Sequence, residues 1–442
     1  INSGYYGIHW YGSSSSDYTT AQGNQFIGNT VVDWYYYGIR LYYGGAVVVK
    51  GNTVRQRTSG TFTTTSGYGI YAYYMNDGPE ISYNYGMGAL CGLMAGYMNN
   101  AYASSANRAK LYNNMIVSDG TSTSYGLAFY NAKYADVIYN SVRQKTTTGT
   151  TYAIYCYGVS TAYDVKVLNN IISTESNGTY YAIYNSSSGS AVNYSQFDYN
   201  LHYKTGTSGT TYWYWNGTSY ASLAALQAAT SGVHDNSLMG NPYYVSNTDL
   251  HSRSHAGFQA GTPFIGIGDD YDSDLRNGLT PCIGADEYPT PPAENDLGIA
   301  AVRLGYAADK WARIEDPAAH PVTVVVENTG LSANPPTVAV TYKLGSAPAD
   351  ITDGVSQTLS PIWDASNRAA LTFTQPLAGL APSANATVYA RVFHTGDEVP
   401  LNDGGSDTRW VDIIKVHGNE KFDRMTPPVF SDMPGYLDYD WR

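Results

Sequence analysis

Four charged residues hold the same place in four successive repeats. Glu80, Lys110, Asp136 and Lys166 each stand four residues before an asparagine, at Asn84, Asn114, Asn140 and Asn170. A lysine flanked by two acids has the make-up of a polysaccharide lyase centre, with Lys110 as base and Glu80 and Asp136 beside it. The same alternation is what neighbouring strands need to place opposite charges side by side and so fix their register. The ladder is the preferred reading. A second group, Asp269, Asp270, Asp272 and Asp274 with Asp286 and Glu287 nearby, offers hard oxygen ligands of the kind calcium takes, with Asp270, Asp272 and Asp274 the candidate ligands. It lacks the full spacing of a helix-loop-helix calcium loop: glycine comes only at Gly278. His251 and His255 are four apart, which suits zinc on a helix, but Ser252, Arg253 and Ser254 between them and Gly257 after them read as loop. The run Tyr212–Trp215 can stack on sugar rings or cover the end of an apolar core, and we favour the second. Residues 1–222 hold nine carboxylates, none in the close pairs that glycoside hydrolysis uses.

The elements that must carry these residues are repeats. The pattern apolar-x-x-Asn recurs with its asparagines at Asn29, Asn52, Asn84, Asn114, Asn140, Asn170 and Asn200, at intervals of 23 to 32 residues. Such intervals are too short for domains and too long for hairpins, so each is read as one coil of a solenoid. The asparagine, tolerant of left-handed turns, would bond its copies above and below. A second column runs in step: Tyr6, Tyr37, Tyr68, Cys91, Tyr125, Tyr152, Tyr181 and Tyr212, followed two residues on by Ile8, Ile39, Ile70, Leu93, Leu127, Ile154, Ile183 and Tyr214. Two short strands per period, separated by Gly, Ser, Thr and Asn turns, predict an all-β parallel stack, a rod of roughly 40 Å at strand spacing.

A net charge of −12 gives no electrostatic reason to bind nucleic acid or an anionic membrane. No run is long and apolar enough to span a bilayer. Cys91, Cys156 and Cys282 lack metal-ligand spacing and read as buried apolar residues. The sequence opens at Ile1 without a secretion signal, so a processed or trimmed chain is expected.

Along the chain, residues 1–222 form the solenoid and 223–288 a closing segment that begins with a short helix in LAALQAAT. Residues 289–294 (PTPPAE) form a linker, 295–416 an antiparallel β-sandwich, and 417–442 a tail. The repeats resemble the right-handed parallel β-helix repeats of secreted bacterial proteins, a fold shared with pectate lyases. Ser222–Thr230, Gly240–Pro242, Ala260–Pro263, Asp272–Gly278 and Ile283–Glu287 resemble the closing segment of that group. There the same residues with Arg276 form a recurrent closing motif that need not bind metal, and a hydrogen-bonded cap in which Arg276 pairs an aspartate is expected here in preference to calcium. Asn295–Gly298 and Val324–Gly330 resemble the start of an immunoglobulin-like adhesion domain of bacterial surfaces. These resemblances imply a secreted or cell-surface location, while the fold itself hosts many functions.

The function expected is a non-catalytic structural or adhesive surface protein. The bare first coil predicts head-to-tail self-association into filaments, or contact with other surface proteins. A calcium-assisted lyase and a glycan-binding module are the alternatives, with polysaccharide as the partner in both. No cofactor is required, calcium being the one candidate.

Overall fold

The computed structural model describes residues 2–12, 21–99, 105–121, 123–145, 149–157, 164–185, 194–205, 210–230, 232–304, 320–364, 366–377, 380, 384–394, 396–399 and 402–411. The tail 417–442 and the side chain of Tyr212 lie outside them. The chain divides into two compact units, Ile1–Pro291 and Pro292–Arg442.

The first unit is a parallel β-solenoid. From Val48 on, each coil carries three short strands instead of the expected two, because the chain turns a corner inside the asparagine motif. Glu80–Ser82, Tyr85–Gly88 and Cys91–Gly96 make one coil; Ala109–Tyr112, Met115–Ser118 and Ser124–Tyr130 make the next. Strands that precede the asparagines form a seven-stranded sheet. The other two faces belong to one larger sheet, joined through the long strand Thr30–Gly45, whose first part pairs Thr53–Gln56 and whose second part pairs Tyr68–Asn76. Three apolar files, one from each face, meet inside: Val49, Ile81, Leu111, Val137, Val167 and Phe197; Val31, Val54, Ile116, Val142 and Ile172; and Ile39, Ile70, Leu93, Leu127, Ile154 and Ile183. Burying each such side chain stabilises the stack by about 1.5–3 kcal/mol.

The corner differs from expectation. The left-handed residue is the one before each ladder asparagine: Gly28, Gly51, Tyr83, Asn113, Tyr139, Asn169 and Tyr199, with φ between 51° and 65°. From Asn52 onward the ladder asparagines are buried, their amides turned onto the neighbouring coils, so the preceding residue makes the bend.

At the far end, Thr211–Trp215 folds back as a hairpin on Thr218–Tyr220 through Asn216 and Gly217, both at positive φ. The helix Leu223–Ala229 follows, started by Ser222, whose hydroxyl accepts the Ala225 N–H at 3.1 Å. Its Leu223 and Leu226 cover the core. Val233 and His234 complete the cover of this end, and the later part of the closing segment leaves it. It runs back along the flank, with Leu250 and Ala285 packed on Tyr85, Met87, Met115 and Val117, and Ile283 on Ile171 and Leu201. Those strand faces are apolar on both sides, which is why they demand a cover.

The second unit holds two antiparallel sheets around one core, a β-sandwich. One contains Leu297–Leu304, Val322–Asn328 and Arg368–Thr372; the other contains Val355–Leu359, Val338–Leu344, Ala384–Phe393 and Gly404–Val411. Alternate residues such as Val322, Val324 and Val326 face Val338, Val340 and Tyr342 within that core.

Candidate functional site

The asparagine file is a continuous hydrogen-bonded ladder. Each of Asn29, Asn52, Asn84, Asn114, Asn140 and Asn170 donates its Nδ2 to the Oδ1 of the next, at 2.9 Å. That same oxygen accepts the donor's backbone N–H at 2.9–3.1 Å. Asn200 ends the file by donating its N–H to Ser237 Oγ.

Glu80, Lys110, Asp136 and Lys166 lie in direct register on four adjacent strands. Their carboxylates are nevertheless engaged elsewhere. Asp136 is bound by Arg108, whose Nε reaches both oxygens at 2.8 and 2.9 Å, and whose guanidinium also holds Asp164. A planar guanidinium matches a carboxylate better than an ammonium does. Glu80 accepts from Ser82 at 2.7 Å and from Tyr112 at 2.8 Å. Among the described residues neither Lys110 nor Lys166 makes an ion pair; the Lys166 ammonium lies 5.6 Å from the Phe264 ring.

The tyrosine column is a stack. Tyr37 lies on Tyr68 at 5.2 Å and 11°, Tyr125 on Tyr152 at 5.1 Å and 10°, and Tyr152 on Tyr181 at 5.1 Å and 7°, with the break at Cys91. Tyr6 continues it beyond Tyr37 at 5.5 Å. A second file, Tyr155, Tyr184 and Tyr214, meets the first edge-on; Tyr152 and Tyr155 are 5.2 Å apart at 73°. Arg40 lies over Tyr37 and Tyr42. Rings inside a file cover one another's faces, so solvent meets hydroxyls and edges, and the flat surface that a sugar would stack on is taken. Burial, then the neighbouring Tyr125, Tyr181 and Tyr184, push the Tyr152 phenol up to about 12. In the run Tyr212–Trp215, Trp213 and Trp215 are buried at the end of the core against His202 and His234.

The acidic segment separates into two structures. Asp270 is the hub of the first: Oδ1 accepts the N–H groups of Asp272 and Asp274, and Oδ2 that of Glu287, all at 2.8–2.9 Å. With its oxygens so occupied, Arg276 does not pair an aspartate as expected. It reaches Glu287 at 3.4 Å, Asn113 at 2.8 Å and the carbonyls of Asp269 and Gly284, beneath the Tyr139 ring 3.9 Å away. Asp270, Asp272 and Asp274 therefore do not converge on one point; Asp274 is exposed.

The second structure centres on His251. Its Nδ1 bonds Asp249 Oδ1, and its Nε2 meets Asp272 Oδ2 at 2.6 Å. One ligand atom from each of His251, Asp272 and Asp286 falls within 4.8 Å of the others. Burial opposes protonation of His251, but the bonds to Asp249 and Asp272 outweigh it and raise its pKa. Burial pushes the Asp286 carboxyl up to about 6, although the Ser252 N–H and His251 favour its charged form. His255 stands apart on the surface of the same loop.

No protein-family model matches the chain, and no curated protein is similar to it. No helix among the described residues is long and apolar enough to cross a membrane. Sequence reasoning missed Arg108, Asp249 and the convergence of His251 with Asp286. Arg108 carried a signal, lying two residues before Lys110 and so on the same side of its strand. The group of His251, Asp272 and Asp286 carried none, since its members are 14 to 35 residues apart in a segment without period.

Proposed function

We propose that this chain is a non-catalytic extracellular protein of a bacterial surface, structural or adhesive, in which the solenoid is a stiff spacer and the sandwich an immunoglobulin-like module. One observation carries the reading: the groups fit for acid and base work are committed to holding the fold. Asp136 serves Arg108, Glu80 serves Tyr112 and Ser82, and Asp270 serves backbone amides. Meanwhile asparagine and tyrosine ladders run along the stack. Chemistry at Lys110 would need a free carboxylate or a calcium ion beside it, and Asp136 offers its oxygens to a guanidinium instead.

Head-to-tail association is part of this proposal, supported by the edge strand of the smaller sheet. Gln25–Ile27 is the last strand of its sheet, and Tyr5, Tyr11 and Ile27 are exposed there. Strand edges of this kind recruit further strands. The helix Leu223–Ala229 covers the opposite end, so the partner for that edge is the sandwich or the tail of another copy. Negative-stain electron microscopy of the full chain at rising concentration tests this, with end-to-end particles expected. Dispersed particles at every concentration would remove the filament. Unsaturated product from a panel of uronic-acid polysaccharides would replace the structural reading with a lyase.

A further inference from the structure

The His251 group is the one cluster among the described residues in which three metal-ligating side chains of two chemical kinds converge. Two loops of the closing segment bring it together: residues 246–254 supply Asp249 and His251, and residues 269–287 supply Asp272 and Asp286. Both are anchored on the solenoid flank through Leu250 and Ala285 in one apolar cluster, and the second loop is closed on itself by the Tyr271 N–H bonded to the Ala285 carbonyl. The imidazole is already oriented. Asp249 Oδ1 engages both the His251 backbone N–H and Nδ1, which leaves Nε2 directed at Asp272. A carboxylate behind a histidine, fixing the tautomer so that the other nitrogen faces outward, is how metal-binding histidines are commonly held.

Charge supplies an independent argument. Asp249, Asp272 and Asp286 crowd one imidazole, and among the described residues no lysine or arginine pairs with any of them. Asp286 is buried, with Ser252 donating to Oδ2. Elsewhere carboxylates are neutralised by arginine, as Arg276 does for Glu287 in the same segment and Arg143 for Glu175 on the solenoid. Here the only cationic partner among the described residues is the His251 ring itself, one charge against three carboxyl groups, and a divalent ion would replace the proton on Nε2 and offset the excess of acid.

We propose that His251 Nε2, Asp272 and Asp286 bind a divalent first-row transition ion, with zinc the expected occupant. Asp249 is the positioning residue. One nitrogen and two carboxylates with an open place for water suit zinc coordination, whereas calcium takes six to eight oxygens and no imidazole. The Asp272 contact to Nε2 gives way on binding, the carboxylate moving from the ring nitrogen to the ion. Occupied, the site ties the loop 246–254 to the loop 269–287 and so fastens the closing segment. It is distinct from the calcium reading of Asp270, Asp272 and Asp274, which shares only Asp272, and it does not depend on the proposed surface role.

Calorimetric titration of the metal-free full chain with Zn²⁺, and with Ca²⁺ as the contrast, tests the assignment. One equivalent of Zn²⁺ is expected, with Ca²⁺ silent, and Co²⁺ in its place should give visible absorption of a low-symmetry site. His251→Ala and Asp286→Asn should abolish binding, Asp249→Asn should weaken it about 10–100-fold, and Asp274→Asn should leave it unchanged. Circular dichroism on each variant separates lost folding from lost binding, and His251→Gln serves where His251→Ala does not fold. Absence of stoichiometric Zn²⁺ uptake, or uptake that survives both His251→Ala and His251→Gln, would overturn the proposal.

Discussion

Replacing Asn114 by alanine isolates the energetic contribution of the ladder. Asn114 accepts from Asn84 N at 3.1 Å and Asn84 Nδ2 at 2.9 Å, and donates to Asn140 Oδ1 and to the Ile81 carbonyl at 2.9 Å. Truncation strands two buried donors of Asn84. Asn140 Oδ1 loses less, because it keeps the Asn114 backbone N–H. At about 1–3 kcal/mol for each orphaned buried group, the loss is about 2–6 kcal/mol. Asn29→Ala is the internal control: this residue lies at the half-exposed first coil and gives up its Nδ2 bond to Asn52, a loss of about 0.5–1.5 kcal/mol. Urea unfolding of the full chain, following the solenoid's transition by circular dichroism, reads both. A midpoint shift for Asn114→Ala no larger than for Asn29→Ala would show that the ladder is decoration and that the apolar files alone set register.

Other outcomes follow from single contacts. His202 and His234 are buried without a side-chain hydrogen bond, and burial, with His234 adding to the effect on His202, lowers both to about 3. The unfolded chain therefore binds more protons between pH 6.5 and about 3. Stability should be full above that window and fall by up to about 1.4 kcal/mol per pH unit per histidine within it; a flat acid profile, or one unchanged in His202→Leu, would refute the assignment. Gly69→Ala places a Cβ 2.4 Å from the Gly92 carbonyl oxygen and should cost about 1–3 kcal/mol in thermal unfolding. Arg276→Met strands Glu287 and Asn113 and should lower stability by about 3–5 kcal/mol. Limited proteolysis should then cut first between residues 264 and 287, and an uncut closing segment would count against its role as a brace.

The coil and its core were legible because a stacked repeat writes each contact several times. Val49, Ile81, Leu111, Val137 and Val167 recur at one position and so announce one file. The third strand was hidden because its boundary is a single left-handed residue, and the position holds Gly, Tyr or Asn without a shared chemical mark. Lys110 and Asp136 were placed in register correctly, yet the partner of Asp136 is Arg108, a choice made by guanidinium geometry and not by spacing. The His251 group escaped because it is assembled once, by loops that fold back over a flank whose apolar outer face the repeats did not advertise.

The asparagine ladder has a direction. From Asn29 to Asn170 each side-chain amide hands one hydrogen to the Oδ1 of the later coil, so the file begins with the Asn29 side-chain carbonyl as an acceptor and finishes with the Asn200 backbone N–H donating to a serine hydroxyl. The two ends of the stack are thus chemically unlike, in the manner of a plug and a socket. A segment joining ahead of Asn29 must bring an N–H or O–H to that oxygen, and two such edges brought face to face would offer acceptor to acceptor and repel.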